Sequence, residues 1–243
     1  MYRNIIMKQS YKETSEAVAD FIYSVIQEKP DAAIILATGH SPLLGYRLLV
    51  KKILETSLDI HAVTWIKLDE WIGVDGEDEA SCELFIQKEL ITPLQISEQN
   101  YIHFRLNVDC PEKDAANIEQ QILALPGIHL AILGIGMNGH LGLNEPADEL
   151  DCYAHAVDLD KKTKTHEMLT HTHRKVEKGI TLGMKDLFLA EKILLIADGR
   201  DKELGLEYFL NDKITTKIPV SMLKLHSDCT CIINKECFPR INL

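Results

Sequence analysis

Basic residues are scarce in this sequence. Its 26 Lys and Arg are outnumbered by 37 Asp and Glu, giving a formal net charge of −11 over 243 residues. A nucleic-acid-binding face rests on clustered cations, so the balance argues against a polyanion as partner. Long apolar runs are missing too, and none reaches the roughly 18 residues of a membrane span. The first residues, Met1-Tyr-Arg-Asn-Ile-Ile-Met-Lys8, lack the apolar core and small-residue cleavage site of a secretory signal, so a cytoplasmic protein is expected. The six cysteines stand at 82, 110, 152, 229, 231 and 237 with no Cys-x-x-Cys pair, a pattern that fits neither a zinc ribbon nor a small disulfide scaffold. They are expected to be reduced. No internal repeat, low-complexity tract or Gly-, Ser- or Pro-rich linker divides the chain.

What is present is enough apolar material, 46% of residues, to bury a sizeable core in one domain spanning residues 1–243. After Ser10 and Thr14, either able to cap, Ala17, Val18, Phe21, Ile22, Val25 and Ile26 recur at helical spacing and predict a helix over Tyr11–Glu28. Short strands are expected at Ala33–Ala37, Ala62–Leu68, Tyr101–Phe104, His129–Gly134 and Ile193–Ala197. Further helices are expected after Pro42, with a stripe from Leu43 to Leu54, and over Ser81–Leu90, Pro111–Leu125 and Asp201–Leu210. Such alternation predicts an α/β fold: a single-domain, open, mostly parallel twisted sheet with helices on both faces. The stretch 152–178 breaks the rhythm. It is charged, holds His155, His166, His171 and His173, and reads as a partly helical surface excursion able to act as a lid.

Several predicted strands end directly in polar clusters: Thr38-Gly-His-Ser41, Asp69-Glu70, Asn138 to Glu145, and Gly199 to Lys202. In open α/β sheets, ligands lie beyond the carboxyl ends of the strands, so these loops should meet at one edge. Their chemistries complement one another. Thr38, Gly39, His40 and Ser41 open onto a helix N-terminus and offer backbone N–H groups and hydroxyls to a phosphate, for which Lys202 is a matching cation. Asp69 is a candidate general base. His140 near Glu145 is a candidate acid/base pair in which the carboxylate fixes the imidazole tautomer and favours its charged form. A sugar phosphate undergoing proton transfers suits the set.

The run Gly134-Ile-Gly-Met-Asn-Gly-His-Leu-Gly-Leu-Asn-Glu-Pro146, with Leu68-Asp-Glu-Trp-Ile-Gly73 and Ala37-Thr-Gly-His-Ser-Pro42 upstream and Gly199-Arg-Asp-Lys202 downstream, resembles the glucosamine-6-phosphate deaminase/isomerase family, which includes galactosamine-6-phosphate isomerases. The likeness extends in order through Gly179-Ile-Thr-Leu-Gly-Met184 to Pro219-Val-Ser-Met-Leu-Lys-Leu-His226. It implies a Rossmann-like sugar-phosphate isomerase/deaminase fold and an enzyme that releases ammonia from a hexosamine 6-phosphate to leave a ketohexose 6-phosphate. By the same resemblance, Asp69 moves a proton between C2 and C1, and His140 opens the pyranose ring with Glu145 and Asn138 tuning it. Gly39, the His40 backbone, Ser41 and Lys202 hold the phosphate, and no metal or organic cofactor is required. Oligomerisation is left open.

This chain departs from the family pattern twice. Position 138 is Asn, where family members carry Asp or Asn; an amide oxygen can accept a ring N–H but adds no charge, which leaves Glu145 more of that task. In the excursion, an arginine that grips phosphate or an effector in relatives is absent from Thr163-Lys-Thr-His-Glu-Met-Leu169, leaving His166 or Lys164 as substitutes. The His166-Glu-Met-Leu169 and Asp69-Glu-Trp71 sequences lean toward the galactosamine branch.

Rival readings are weaker. Gly134-x-Gly136-x-x-Gly139 matches the letters of a dinucleotide fingerprint, but that motif should open a long helix and here meets Pro146 too soon. A non-catalytic sugar-phosphate sensor would need a DNA-binding segment that the sequence does not offer. The neighbouring 6-phosphogluconolactonases share the Gly-x-Gly-x-Asp-Gly-His core and usually lack the Asn-Glu-Pro that follows it here. His171-x-His173 with His166 lacks the Cys or carboxylate spacing that would complete a metal site.

Overall fold

The computed structural model describes residues 4–106 and 109–241. Along the chain run β1 (Asn4–Lys8), α1 (Tyr11–Glu28), β2 (Ala33–Leu36), α2 (His40–Thr56), β3 (Thr64–Lys67), β4 (Asp69–Trp71), α3 (Cys82–Ile86), β5 (Tyr101–Ile102), α4 (Pro111–Leu123), β6 (Ile128–Gly134), β7 (His155–Asp158), β8 (Lys178–Thr181), α5 (Met184–Phe188), β9 (Ala190–Ala197), α6 (Glu203–Leu210) and β10 (Cys229–Asn234). The first helix shows how local chemistry sets these limits. Ser10 Oγ accepts the N–H of Glu13, and Glu13 Oε2 accepts the N–H of Gln9, so two otherwise orphaned donors are satisfied where α1 begins.

The main sheet has the strand order β1-β10-β9-β6-β2-β3-β5, with every pairing parallel. Its strands read as nearly continuous apolar runs because both faces are covered. Alternate side chains serve opposite cores. Ile34, Leu36, Leu130, Ile132, Leu194 and Ile196 pack with Val18, Ile22, Ile26, Tyr46 and Leu49 of α1 and α2. Ile35, Ala131, Leu133, Ile193 and Leu195 face Ile118 and Ile122 of α4, Leu187 of α5, and Leu206 and Phe209 of α6. Each such aliphatic side chain contributes about 1.5–3 kcal/mol relative to exposure, and a one-residue slip of a strand would exchange the two sets. The expected α/β sheet covered on both faces is therefore the observed architecture.

Three differences from the expectation matter for the site. First, Asp69 does not simply follow a strand: after a break at Leu68 it begins β4, which joins β8 and β7 in a separate antiparallel sheet. Second, the 152–178 excursion is less helical than expected. It holds β7 and two 3-10 turns, Thr163–Thr165 and Glu167–His171, and the small sheet ties its ends down. Third, the helix expected over Ser81–Leu90 is α-helical only to Ile86 and continues as a π-helical turn, Gln87–Ile91.

Candidate active site

From β2 the chain turns to β3 on one side, whereas β6 is followed in the sheet by β9 on the other. Neighbouring strands that diverge in this way form a topological switch point, and the crevice beyond their carboxyl ends is the expected ligand site. A cavity of about 560 Å³ opens there. Thr38, Gly39, His40 and Ser41 line it after β2, Asp69 from β4, His140 after β6 and Lys202 after β9. Asn138 and Glu145 stand outside its lining, against His140.

The β6 loop folds back without forming a helix, as the position of Pro146 predicts. Gly136 accepts the N–H of Gly139 and donates to the carbonyl of His140, a tight turn that lays the His140 ring over the backbone of Gly136. Only glycine permits that approach, since a Cβ at 136 would lie 2.1 Å from His140 Nε2. On the far edge of the ring, Nδ1 is 3.3 Å from Glu145 Oε2 and 3.2 Å from Thr163 Oγ1. Asn138 completes the group. Its Nδ2 donates to Glu145 Oε2 at 2.8 Å, and its Oδ1 accepts the backbone N–H of His140 at 3.2 Å. The amide oxygen thus takes a main-chain N–H where the sequence suggested a ring N–H, because Glu145 already occupies the ring edge. Burial works to raise the Glu145 carboxyl, but the hydrogen bond and charge of His140, with Thr163 and Asn138, hold it down at about 2. An anionic partner on Nδ1 leaves Nε2 as the nitrogen on the cavity side, suited to pass a proton.

Asp69 is only 8% exposed, and its Oδ1 has no hydrogen-bond partner. Burial above all, then the negative charge of Glu70, raises its carboxyl to about 7, while Lys67 and the Cys82 thiol oppose the rise. A buried carboxylate with a bare oxygen on a cavity and a proton affinity near neutrality has the properties of a general base. The neighbouring Glu70 is instead fully engaged. It accepts the N–H groups of Trp71, Cys82 and Glu83 and the ammonium of Lys67, pinning the start of α3 beside the base.

The third wall is an anion cradle. Gly39, with φ of +92°, turns the chain into α2, whose first turn has no side-chain cap. Its leading N–H groups therefore remain for a ligand, with the helix dipole behind them. Tyr11 fixes the turn: its hydroxyl donates to the His40 carbonyl at 2.7 Å, and its ring stacks on the His40 imidazole. Lys202, 14% exposed, pairs with Asp201 Oδ2 at 2.7 Å and lies in the cavity wall.

Of the two residues named as substitutes in the excursion, His166 lines the cavity and Lys164 does not; Lys164 is ion-paired with Glu177. Among the described residues, no three His, Cys, Asp or Glu side chains come together as a possible metal site. The site also has members that sequence reading passed over. Asp198 sits in the wall 3.6 Å from His40 Nε2. Arg47 grips Glu89 with two hydrogen bonds at the cavity mouth, and Trp71 lies under His166. Lys67 did carry a signal. A lysine inside the apolar run Val63–Leu68 must be paired if the strand is buried, and its partners are Glu70 and Glu83.

With this geometry in place, the comparisons with known proteins are unambiguous. The family described as glucosamine-6-phosphate isomerases/6-phosphogluconolactonase matches residues 7–232. The chain belongs to that family. AgaI of Escherichia coli (strain K12), a protein that carries a deaminase name, is 40% identical over 226 residues, which cover 93% of this chain and 90% of AgaI. The glucosamine-6-phosphate deaminase of Clostridium tetani (strain Massachusetts / E88) is 35% identical over 235 residues, 96% of this chain and 97% of the relative. Among solved structures, a monomeric glucosamine-6-phosphate deaminase matches with a TM-score of 0.91 at 29% identity, over 96% of this chain and 98% of that one. The 6-phosphogluconolactonase of Trypanosoma cruzi shares the fold, with a TM-score of 0.81 at 21% identity over 100% of this chain and 98% of its own.

Proposed function

We propose that this member of the family is an amino-sugar-phosphate deaminase (isomerase) that converts a hexosamine 6-phosphate to a ketohexose 6-phosphate and ammonia. The observation that carries the reading is the shared cavity: the bare carboxylate of Asp69, the Glu145-backed imidazole of His140 and the uncapped N-terminus of α2 with Lys202 all serve it. The phosphate rests on the backbone of Gly39, His40 and Ser41, with Thr38, Ser41 and Lys202 adding side-chain donors. His140 protonates the ring oxygen as the pyranose opens. Asp69 then moves the C2 proton to C1 by way of the C1–C2 enolamine; O1 takes up a proton and the amine gives one up, which leaves a ketimine at C2 beside a C1 hydroxymethyl. Water adds at C2, the C–N bond breaks, and ammonia leaves as the ketone forms. Each step is a proton transfer or a hydrolysis, so the residues present suffice for the chemistry.

The same reading makes the 152–178 excursion a lid, because Met168 and His166 reach over the cradle from a segment held at its ends by the small sheet and further in by Thr163 against His140 and by the Asp160 N–H on Glu145. It treats residues 1–243 as one catalytic domain in the cytoplasm, with six free thiols. Between the epimers, the His166-Glu-Met-Leu169 stretch favours galactosamine 6-phosphate over glucosamine 6-phosphate. Incubating the purified protein with each epimer and measuring ammonia tests the proposal. Release from at least one is expected; turnover of 6-phosphogluconolactone with neither amino sugar consumed would assign the protein to the lactonase side of its family.

A further inference from the structure

We propose that His166 is a two-ended latch, one ring nitrogen capping the strap's own 3-10 turn and the other donating its N–H to an oxygen of the bound phosphate. The proposal rests on the sugar-phosphate reading of the cavity and adds a binding residue to it. His166 stands at the N-terminus of the 3-10 turn Glu167–His171, where its Nδ1 accepts the N–H of Met168 at 3.3 Å. A nitrogen that accepts a hydrogen bond carries no proton, so the neutral ring bears its hydrogen on Nε2. Nε2 has no partner within the protein among the described residues, yet the ring lines the cavity. It lies above the cradle: its Cε1 is 3.8 Å from where a Cβ on Gly39 would stand, and Gly39 is the residue that leads into the uncapped first turn of α2. The donor left over is therefore placed beside the N–H groups that await an anion.

The surroundings keep the ring in that role. Trp71 lies against one side, with ring centroids 5.9 Å apart, while Met168 brings its sulfur toward Thr38 Oγ1 and Gly39. Burial first, then the charges of Lys202 and His140, push the imidazole down to about 4, with Asp201 the opposing group. A neutral donor solves a particular problem here. The cradle already has Lys202, and a second cation packed against it would repel it whenever the pocket is empty. Lys164, the other substitute named for the absent arginine, lies outside the lining and is spent on Glu177, and the strap's further basic group on the cavity wall is His171.

The two ring nitrogens can be separated by substitution. In His166→Asn the side-chain oxygen can still cap the turn, since Asn is a good N-cap, but no donor reaches the cradle. In His166→Gln the amide nitrogen reaches the Nε2 position while the cap is lost. Calorimetry with inorganic phosphate, steady-state kinetics and amide exchange at Met168 on the full chain read the two ends independently. For His166→Asn we expect phosphate affinity and KM for the hexosamine 6-phosphate each to worsen by about tenfold or more, as loss of one hydrogen bond to a charged group implies. Its kcat should stay within about threefold and its Met168 amide should remain protected. His166→Gln should recover most of the phosphate affinity with faster exchange at Met168. Wild-type phosphate affinity in His166→Asn would overturn the proposal, as would equal loss of affinity in both variants tracking exchange at Met168, which would make His166 a cap alone. If no hexosamine phosphate is turned over but phosphate binding still depends on His166 in this way, the deaminase reading fails and the latch stands.

Discussion

Asn138 donates its side-chain N–H to Glu145 Oε2 across 2.8 Å, and the same carboxylate oxygen lies 3.3 Å from His140 Nδ1. The carboxylate is thus held from both sides and cannot follow the ring if the ring moves. Glu145 touches no cavity surface, so its effect on catalysis must pass through His140. Glu145→Gln keeps an acceptor for Asn138 and His140, turns a donor toward the Asp160 N–H that the other carboxylate oxygen now accepts, and removes the negative charge beside the ring. The expected result is a fall in kcat of on the order of 10²-fold with KM changed less than about threefold, the signature of an interaction made in the transition state. A variant with normal kcat would show that the charge is dispensable.

As the proposed base, Asp69 is expected to set the acidic side of the pH profile. Its carboxyl titrates at about 7, so the ionised base is gained as pH rises through neutrality, and kcat/KM should climb between pH 6 and 8. Stability runs the other way. A carboxyl near 3.9 in the unfolded chain and about 7 in the folded one favours the folded state fully below about pH 4, and this advantage is lost as pH rises through 7. The loss is of the order of 4 kcal/mol, from roughly three pKa units at ~1.4 kcal/mol each. Asp69→Asn should therefore lose on the order of 10²-fold or more in kcat while melting above the wild type at pH 8, with little difference near pH 4. Thermal melts across that range decide it; a difference that does not grow with pH would mean Asp69 is not the buried, proton-avid group described here.

Much of this was legible in the sequence, for a physical reason. Parallel strands covered on both faces are apolar throughout, so Ala33–Leu36 and Ile128–Gly134 announce themselves, and glycine at 39 and 136 marks where backbone must turn or make room. The convergence of residues 38–41, 69, 140 and 202 followed from one rule about strand ends. What escaped were elements defined by partners far along the chain. Asn4–Lys8 is a strand because Cys229–Asn234 lies beside it, and Asp69–Trp71 because Lys178–Thr181 does. No local period encodes either pairing. The sequence named His166 and Lys164 alike as substitutes for the absent arginine, and the choice between them was hidden, since it depends on a strap folding His166 back onto Gly39 while Lys164 pairs with Glu177.

Lys67 links the site to the stability of the fold. Its ammonium is wholly buried and meets Glu70 Oε2 at 3.0 Å, Glu83 Oε2 at 2.6 Å and the Phe104 carbonyl at 3.3 Å, while Tyr101 donates to the same Glu83 oxygen. Lys67→Met would leave two carboxylates buried without their cation, which typically costs about 3–5 kcal/mol. It would also remove the charge that holds Asp69 down. The variant should melt well below the wild type, and at temperatures where it remains folded the acidic limb of kcat/KM should move to higher pH. A lowered melting temperature with an unmoved limb would confine Lys67 to structure.

Gly136 offers the sharpest separation of fold from chemistry. A methyl group at this position would fall 2.1 Å from Nε2 and 2.2 Å from Cδ2 of His140, so the ring must leave its place over the turn. Nothing in the core need move with it, because the ring sits on the cavity side of the loop. Gly136→Ala should therefore cost about 1–3 kcal/mol of stability, the usual range for overpacking, yet lower kcat by on the order of 10²-fold as Nδ1 loses Glu145 and Nε2 leaves the cavity. Ammonia release measured beside a thermal melt distinguishes the outcomes. Were the alanine variant to retain full activity, the pose of His140 against the glycine backbone would be incidental, and the proton delivered during ring opening would have to come from another group.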